Sequence, residues 1–185
     1  MGSTTATPPF RVLILGGSYA GLSAALNLDD LCNNRTARCG KKPDDGVESP
    51  SPEQAFPVDI TIVDERDGFY HLIGSPMALA SESYAEKAWV KYNNIPAVQL
   101  PNIRVVQGSV QGLDTTRKVA TIATPVGADD VRVEYDYLVA ATGLRRAWPA
   151  VPQSLTRKQY LFEVGEHIRN VQDAQHGVVV VGGGM

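Results

Sequence analysis

An apolar, β-branched run that breaks into glycine and continues as a small-residue helix stands near the start of this chain, and its first half recurs at the end. Val12, Leu13, Ile14 and Leu15 lead into Gly16-Gly17-Ser18-Tyr19-Ala20-Gly21, while Val178 to Val181 leads into Gly182-Gly183-Gly184 and then Met185. A buried strand feeding a glycine turn that opens a helix brings backbone N–H groups up against a pyrophosphate. One such turn is a weak signal. Two of them, roughly a domain's length apart, point to an enzyme that holds two dinucleotides, with most of the first site and only the threshold of the second in this chain.

The 185 residues suffice for one domain or slightly more, with a real core. A net charge of -3, with acids and bases interspersed, argues against nucleic acid or an anionic membrane as partner. Phosphate contacts would come mostly from backbone and helix dipole. Met1 to Phe10 carry no secretory or mitochondrial address, and the apolar runs around Val12, Ile60, Leu138 and Val178 fall far short of the ~20 residues of a membrane helix. A soluble, cytoplasmic protein is expected. Cys32 and Cys39, in a polar, loop-like stretch without histidine, form no zinc set and read as reduced, idle thiols; no metal site is expected.

The pattern predicts an α/β fold: a Rossmann-like parallel sheet with flanking helices and a small antiparallel meander. After a flexible N-terminus (1–9), residues 10–150 read as one incomplete dinucleotide-binding domain. Its first helix is Ala20 to Leu28, and a loop insertion at 31–57, rich in Gly, Pro, Ser and mixed charge, interrupts it. Val58 to Val63 is a β-branched strand ending in Asp64-Glu65-Arg66. Phe69 to Ala80 is apolar but aperiodic, a helix follows around Ser83 to Lys91, and Ile103 to Val106 is a short strand. Ser109–Leu113, Val119–Ala123 and Val131–Tyr135 make the meander, and Tyr137 to Ala141 a buried strand. A connecting helix occupies 151–176, with Thr156 and Gln159 at capping-box spacing and Leu161, Val164, Ile168 and Val171 on one face. Residues 177–185 supply the first strand and truncated glycine turn of a second domain.

Rossmann turns use three glycines: for a tight turn, for backbone approach to pyrophosphate, and for helix-to-strand contact. Gly16 and Gly21 fill the first and third places, but Ser18 fills the second, where it is either pushed away from the phosphates or donates its hydroxyl to one. A glycine turn without a dinucleotide is the competing reading. The motif also requires an acidic residue at the end of the next strand, ~20 positions on. Asp64 lies 43 positions after Gly21, and 16 once the insertion is removed. A helix cap or turn carboxylate is the alternative for Asp64, and Glu65 is next in line for the ribose.

The ordered series LILGGSYAGLSAAL, ITIVDERDGFYHLIGSP, YDYLVAATG and VVVVGGG resembles the two-dinucleotide flavoproteins of the pyridine nucleotide-disulfide oxidoreductase-like superfamily. It is most similar to the apoptosis-inducing-factor-like and type II NADH dehydrogenase-like branch, fungal members in particular. The resemblance implies FAD at the first turn (Gly16, Gly17, Ser18, Tyr19, Ala20, Gly21), with Asp64 or Glu65 on the ribose. It further implies Val110 on the adenine side, Ala141, Thr142 and Gly143 beside the cofactor, and NAD(P)H at the second turn. No Cys-x4-Cys pair follows Asp64, so a disulfide-reductase mechanism is unsupported, and electrons would pass from flavin to a quinone, oxygen or a protein acceptor. His71 falls where the family's chain passes the flavin ring, though a satisfied polar group at a loop base is the favoured reading. His167 and His176 read as solvent-facing, Arg145 and Arg146 as a solvated pair with a phosphate contact as the alternative, and Trp148 as loop packing in preference to a stacking platform.

The main expectation is a FAD-dependent NAD(P)H oxidoreductase, present as its FAD-binding part and inactive alone, with an unpaired strand edge that favours instability or association. No side chain need act as a proton-transfer catalyst. The rivals are a non-catalytic nucleotide-binding or interaction module and a truncated product without function.

Overall fold

Strands covered on both faces carry apolar residues at every position instead of every second one, and Val12 to Leu15 are buried without a break. The computed structural model describes residues 8–38, 56–125 and 130–179. Its elements in chain order are β1 (Phe10–Leu15), α1 (Tyr19–Cys32), β2 (Val58–Asp64), β3 (Gly68–Tyr70), α2 (Ser75–Ala78), α3 (Glu82–Ala88), β4 (Trp89–Lys91), β5 (Ile103–Gln107), β6 (Ser109–Asp114), β7 (Val119–Ala123), β8 (Val131–Glu134), β9 (Tyr137–Ala140) and α4 (Arg157–Gln172). The chain divides into two units, 1–67 with 92–144, and 68–91 with 145–185.

In the first unit a parallel sheet has the order β5-β2-β1-β9, with Ile14 opposite Ile62 on one side and Val139 on the other. The chain steps outward from β1 to β2 to β5, then returns to the far side of β1 as β9. That reversal opens a crevice at the carboxyl ends of the strands, where α/β sheets bind ligands. One sheet face presents Val12, Ile14, Ile60 and Ile62 to Ala25 and Cys32 of α1. The other presents Leu13, Leu15 and Val63 to Ala120, Ile122, Val133 and Tyr135 of the antiparallel meander β6-β7-β8. Each of these aliphatic side chains contributes about 1.5–3 kcal/mol by leaving water. The α/β sheet and its meander are as the pattern predicts.

The expected insertion begins later than its composition indicates. α1 runs on to Cys32, which is a buried core residue and not part of a polar loop. Beyond it, Arg35 and Arg38 fold back on Asp29 and Asp30, both only 2% exposed. Arg35 Nε donates to Asp30 Oδ1 at 3.0 Å, Arg38 Nε to Asp30 Oδ2 at 2.8 Å, and Asn102 Nδ2 to Asp29 Oδ1 at 2.9 Å. Burial by itself would raise Asp30, but the bonds from Arg38 and Arg35 outweigh it and hold the carboxyl below its ordinary value. Cys39 lies outside the described residues.

In the second unit β3 and β4 pair antiparallel, with Tyr70 opposite Trp89. Trp89 and Tyr160 stack at 5.1 Å and Tyr70 meets Tyr160 edge-on at 5.2 Å, with Ala78, Ala85, Ala88, Val164 and Ile168 around them. The Thr156–Gln159 capping box is present. The buried face of α4 is Tyr160, Val164 and Ile168, while Val171 is 42% exposed; the aromatic ring at 160 draws the helix one position round from the expected face. Of the strand expected from Val178 to Val181, only Val178 and Val179 are described, and both are exposed. The Gly182–Gly184 turn lies outside the described residues. Among the described residues, no helix is long and apolar enough to cross a membrane.

Candidate functional site

Gly16, just past β1, has φ of +99°, a left-handed value open to glycine without steric penalty. A Cβ on Gly21 would stand 1.8 Å from the Gly16 carbonyl oxygen and 3.3 Å from Ile14 Cγ2. Helix α1 therefore leaves the turn closer to β1 than any side chain allows, as the third glycine of the motif requires. Ser18 is the N-cap, in extended conformation (φ -91°, ψ -154°), and its side chain makes no capping bond. No acidic residue occupies the first turn of α1, so its positive end is not neutralised from within. Tyr19 and Ala20 are exposed there, and Gly17 and Gly21 are buried.

Asp64 ends the neighbouring strand. Its Oδ2 accepts from the Gly17 N–H at 2.6 Å and its Oδ1 from the Arg66 N–H at 2.8 Å. Backbone bonds fix the surroundings: Gly16 N–H donates to the Val63 carbonyl and Gly108 N–H to the Asp64 carbonyl, each at 2.8 Å. A carboxylate offers about four acceptor sites, so these two N–H groups leave both oxygens capacity for further donors such as sugar hydroxyls. The Tyr92 hydroxyl donates to the Gly17 carbonyl at 2.9 Å. Burial, followed by the negative charge of Asp64, raises the Tyr92 phenol above its ordinary value and keeps it a protonated donor.

Gly16, Asp64 and Glu65, expected from the motif, and Val110 and Thr142, implied by the resemblance, line one cleft of about 240 Å³ at the carboxyl ends of the parallel strands. Ala141 stands alongside, its N–H donating to the Leu15 carbonyl at 2.8 Å. Gly143 follows with φ of +69°. At Val110 the β6–β7 ladder slips between Val110 and Gly112, an irregularity that re-aims side chains beside sites. Motif reasoning missed Arg66, Gly108 and Ser109 in the cleft wall, and it missed Tyr92. The Gly-Ser pair directly after a parallel strand is a readable signal for 108 and 109. Nothing local marks Tyr92.

Other candidates lie elsewhere. In the second unit the half-buried His71 has its ring against Gly74. Trp148 packs on the aromatic cluster and meets His167 edge-on at 5.5 Å, so Trp148 is loop packing and His167 is partly covered instead of solvent-facing. His176, Arg145 and Arg146 are exposed. The Cys32 thiol is pushed up by burial and then by Asp29, which suppresses thiolate chemistry.

The sequence profile of the pyridine nucleotide-disulphide oxidoreductase family matches residues 10–185. Oxidoreductase OXR1 of Ajellomyces capsulatus is 51% identical over 185 residues, which are 100% of this chain and 40% of that protein. Ferroptosis suppressor protein 1 of Homo sapiens is 25% identical over 94% of this chain and 37% of its own length. The chain thus spans about 40% of the length of the curated relatives it matches. Among solved structures, the sulfide:quinone oxidoreductase of Aquifex aeolicus superposes with a TM-score of 0.57 at 21% identity, covering 90% of this chain and 33% of that one. The Bacillus anthracis protein CoADR-RHD gives 0.59 at 15% identity, covering 90% and 28%.

Proposed function

This chain belongs to the pyridine nucleotide-disulphide oxidoreductase family, and we propose that it is the FAD-binding part of a cytoplasmic NAD(P)H oxidoreductase. In that reading hydride passes from nicotinamide to flavin and on to a quinone or other acceptor. The observation that carries it is the meeting of the glycine turn and the Asp64 carboxylate, 2.6 Å apart through the Gly17 amide, at the switch point of a parallel sheet.

The residues present suit a dinucleotide. Glycines at 16 and 21 let the Ala141 backbone and helix α1 close directly on the turn, where a Cβ would strike the Ala141 and Gly16 carbonyl oxygens, and the start of α1, with no acidic residue in its first turn, favours a diphosphate. Asp64, with Glu65 beside it, retains acceptor capacity for ribose hydroxyls, and Val110 offers an apolar contact to adenine. Ala141, Thr142 and Gly143 close the near side. Bound flavin supplies the redox chemistry, and the chain's own part is to bind and orient it.

The only two cysteines of the chain precede Asp64. No dithiol following the ribose acid is thus available within these residues, which supports electron transfer to a quinone, oxygen or a protein. We take residues 10–150 to carry the FAD site, 151–176 to connect, and 177–185 to begin the NAD(P)H-binding domain. Because this stretch corresponds to 40% of OXR1, the reading assigns it cofactor binding, without NAD(P)H oxidation on its own.

Flavin absorbance of the purified protein, followed by denaturation and identification of what is released, tests the proposal. Released FAD is expected. A folded, colourless protein that binds a nucleotide but no flavin would instead indicate a non-catalytic module.

A further inference from the structure

Tyr92 is 6% exposed, distant in sequence from every motif residue, and directed at the centre of the glycine turn. A Cβ on Gly17 would lie 2.3 Å from its hydroxyl oxygen, so ring and turn are in direct contact. The hydroxyl donates to the Gly17 carbonyl at 2.9 Å. The backbone of Tyr92 is held in turn, its N–H donating to the Asp67 carbonyl at 3.2 Å, three residues past Asp64.

The Gly17–Ser18 peptide is trans; among the described residues the cis bond is Trp148–Pro149. In a trans peptide C=O and N–H point in opposite directions. Drawing the Gly17 carbonyl toward Tyr92 therefore turns the Ser18 N–H away from it. The Gly17 N–H is already committed to Asp64 at 2.6 Å, which fixes the preceding peptide as well. Both peptides that flank Gly17 are thus oriented by side chains, one by Asp64 and one by Tyr92.

We propose that Tyr92 is a positioning residue for the dinucleotide, holding the Gly17–Ser18 peptide so that the Ser18 N–H faces the diphosphate. This rests on the reading of the turn as a FAD site.

The test compares FAD, ADP and adenosine binding to the wild-type protein and to Tyr92→Phe, which keeps the ring and removes the donor. FAD and ADP affinity should fall about three- to tenfold, as expected for one hydrogen bond. Adenosine, which has no phosphate, should bind unchanged. A general structural defect would weaken all three ligands alike, and that result overturns the proposal, as does unchanged ADP binding. If Tyr92→Phe does not fold, Ser18→Pro deletes the amide itself, at a φ of -91° that lies about 10° beyond the range proline favours. It should lose ADP affinity while sparing adenosine, and equal loss of both overturns the proposal. A wild-type protein that binds no FAD would overturn the cofactor reading itself. A wild type that binds FAD with both variants unaffected would overturn only the role of Tyr92.

Discussion

The carboxylate of Asp64 accepts a hydrogen bond from the Gly17 amide at 2.6 Å, across a sequence separation of 47 residues. β1 and β2 pair in parallel from Phe10 opposite Val58 to Leu15 opposite Val63, so the residues just beyond each strand end necessarily meet. The insertion between them lengthens the chain without moving its ends. A backbone amide of the glycine turn and a carboxylate with remaining acceptor capacity are thereby placed side by side.

Replacing that acid tests the site directly. Asp64→Asn keeps the shape but loses the charge, and hydrogen bonds to charged groups contribute about 1.5–3 kcal/mol. FAD affinity should fall roughly ten- to a hundredfold, measured by quenching of flavin fluorescence on titration. An unchanged dissociation constant would remove Asp64 from the ribose role.

Gly21→Ala places a methyl group 1.8 Å from the Gly16 carbonyl oxygen. Since the obstacle is backbone, α1 must shift, and overpacking of this kind destabilises by about 3 kcal/mol. Thermal unfolding should show a lowered Tm, and cofactor retention should decline with it. A variant as stable as wild type would mean that helix and strand are not in such close contact.

The ion-pair cluster at the end of α1 predicts a stability effect far from the cleft. Removing one partner of a fully buried pair costs about 3–5 kcal/mol, but the Arg35 and Arg38 side chains are 49% and 38% exposed, so water screens part of the loss. Asp30→Ala should therefore destabilise by about 2 kcal/mol, roughly 4–8 °C in Tm, with FAD affinity unaffected. A Tm within a degree of wild type would show that the cluster is ornamental to stability.

Acid sensitivity should trace to Asp136. The Arg11 guanidinium, then the Arg11 amide, hold its carboxyl down at about 2 from an ordinary 3.8. Between those values the unfolded chain binds more protons than the native one, so stability rises with pH there. The contribution is complete above about pH 4 and disappears as pH falls through about 2. In acid unfolding followed by circular dichroism, Asp136→Asn should flatten this limb of the profile; an identical limb in the variant would assign the sensitivity elsewhere.

What the amino-acid order determined by itself was local or periodic. Four unbroken apolar residues ahead of Gly16, the Gly16 and Gly21 spacing, the β-branched run to Asp64 and the Thr156–Gln159 box each act within a few residues of their effect. Strand, turn and cap could accordingly be read along the chain, together with Gly16, Asp64 and Glu65 of the cleft, while Val110 and Thr142 followed only from the family resemblance. Tertiary structure alone decided the rest. Val164 and Ile168 of the Leu161 stripe are buried as the period indicates, but Tyr160 joins them because an aromatic partner in Trp89 lies 71 positions earlier, invisible to any period. Residues 68–91 joined 145–185 in a second unit for the same reason. Asp29 and Asp30 are buried with Arg35 and Arg38 as partners, and Tyr92 meets Gly17 across a separation of 75 positions. Such contacts depend on loop closure and packing in three dimensions, and no propensity of a single segment encodes them.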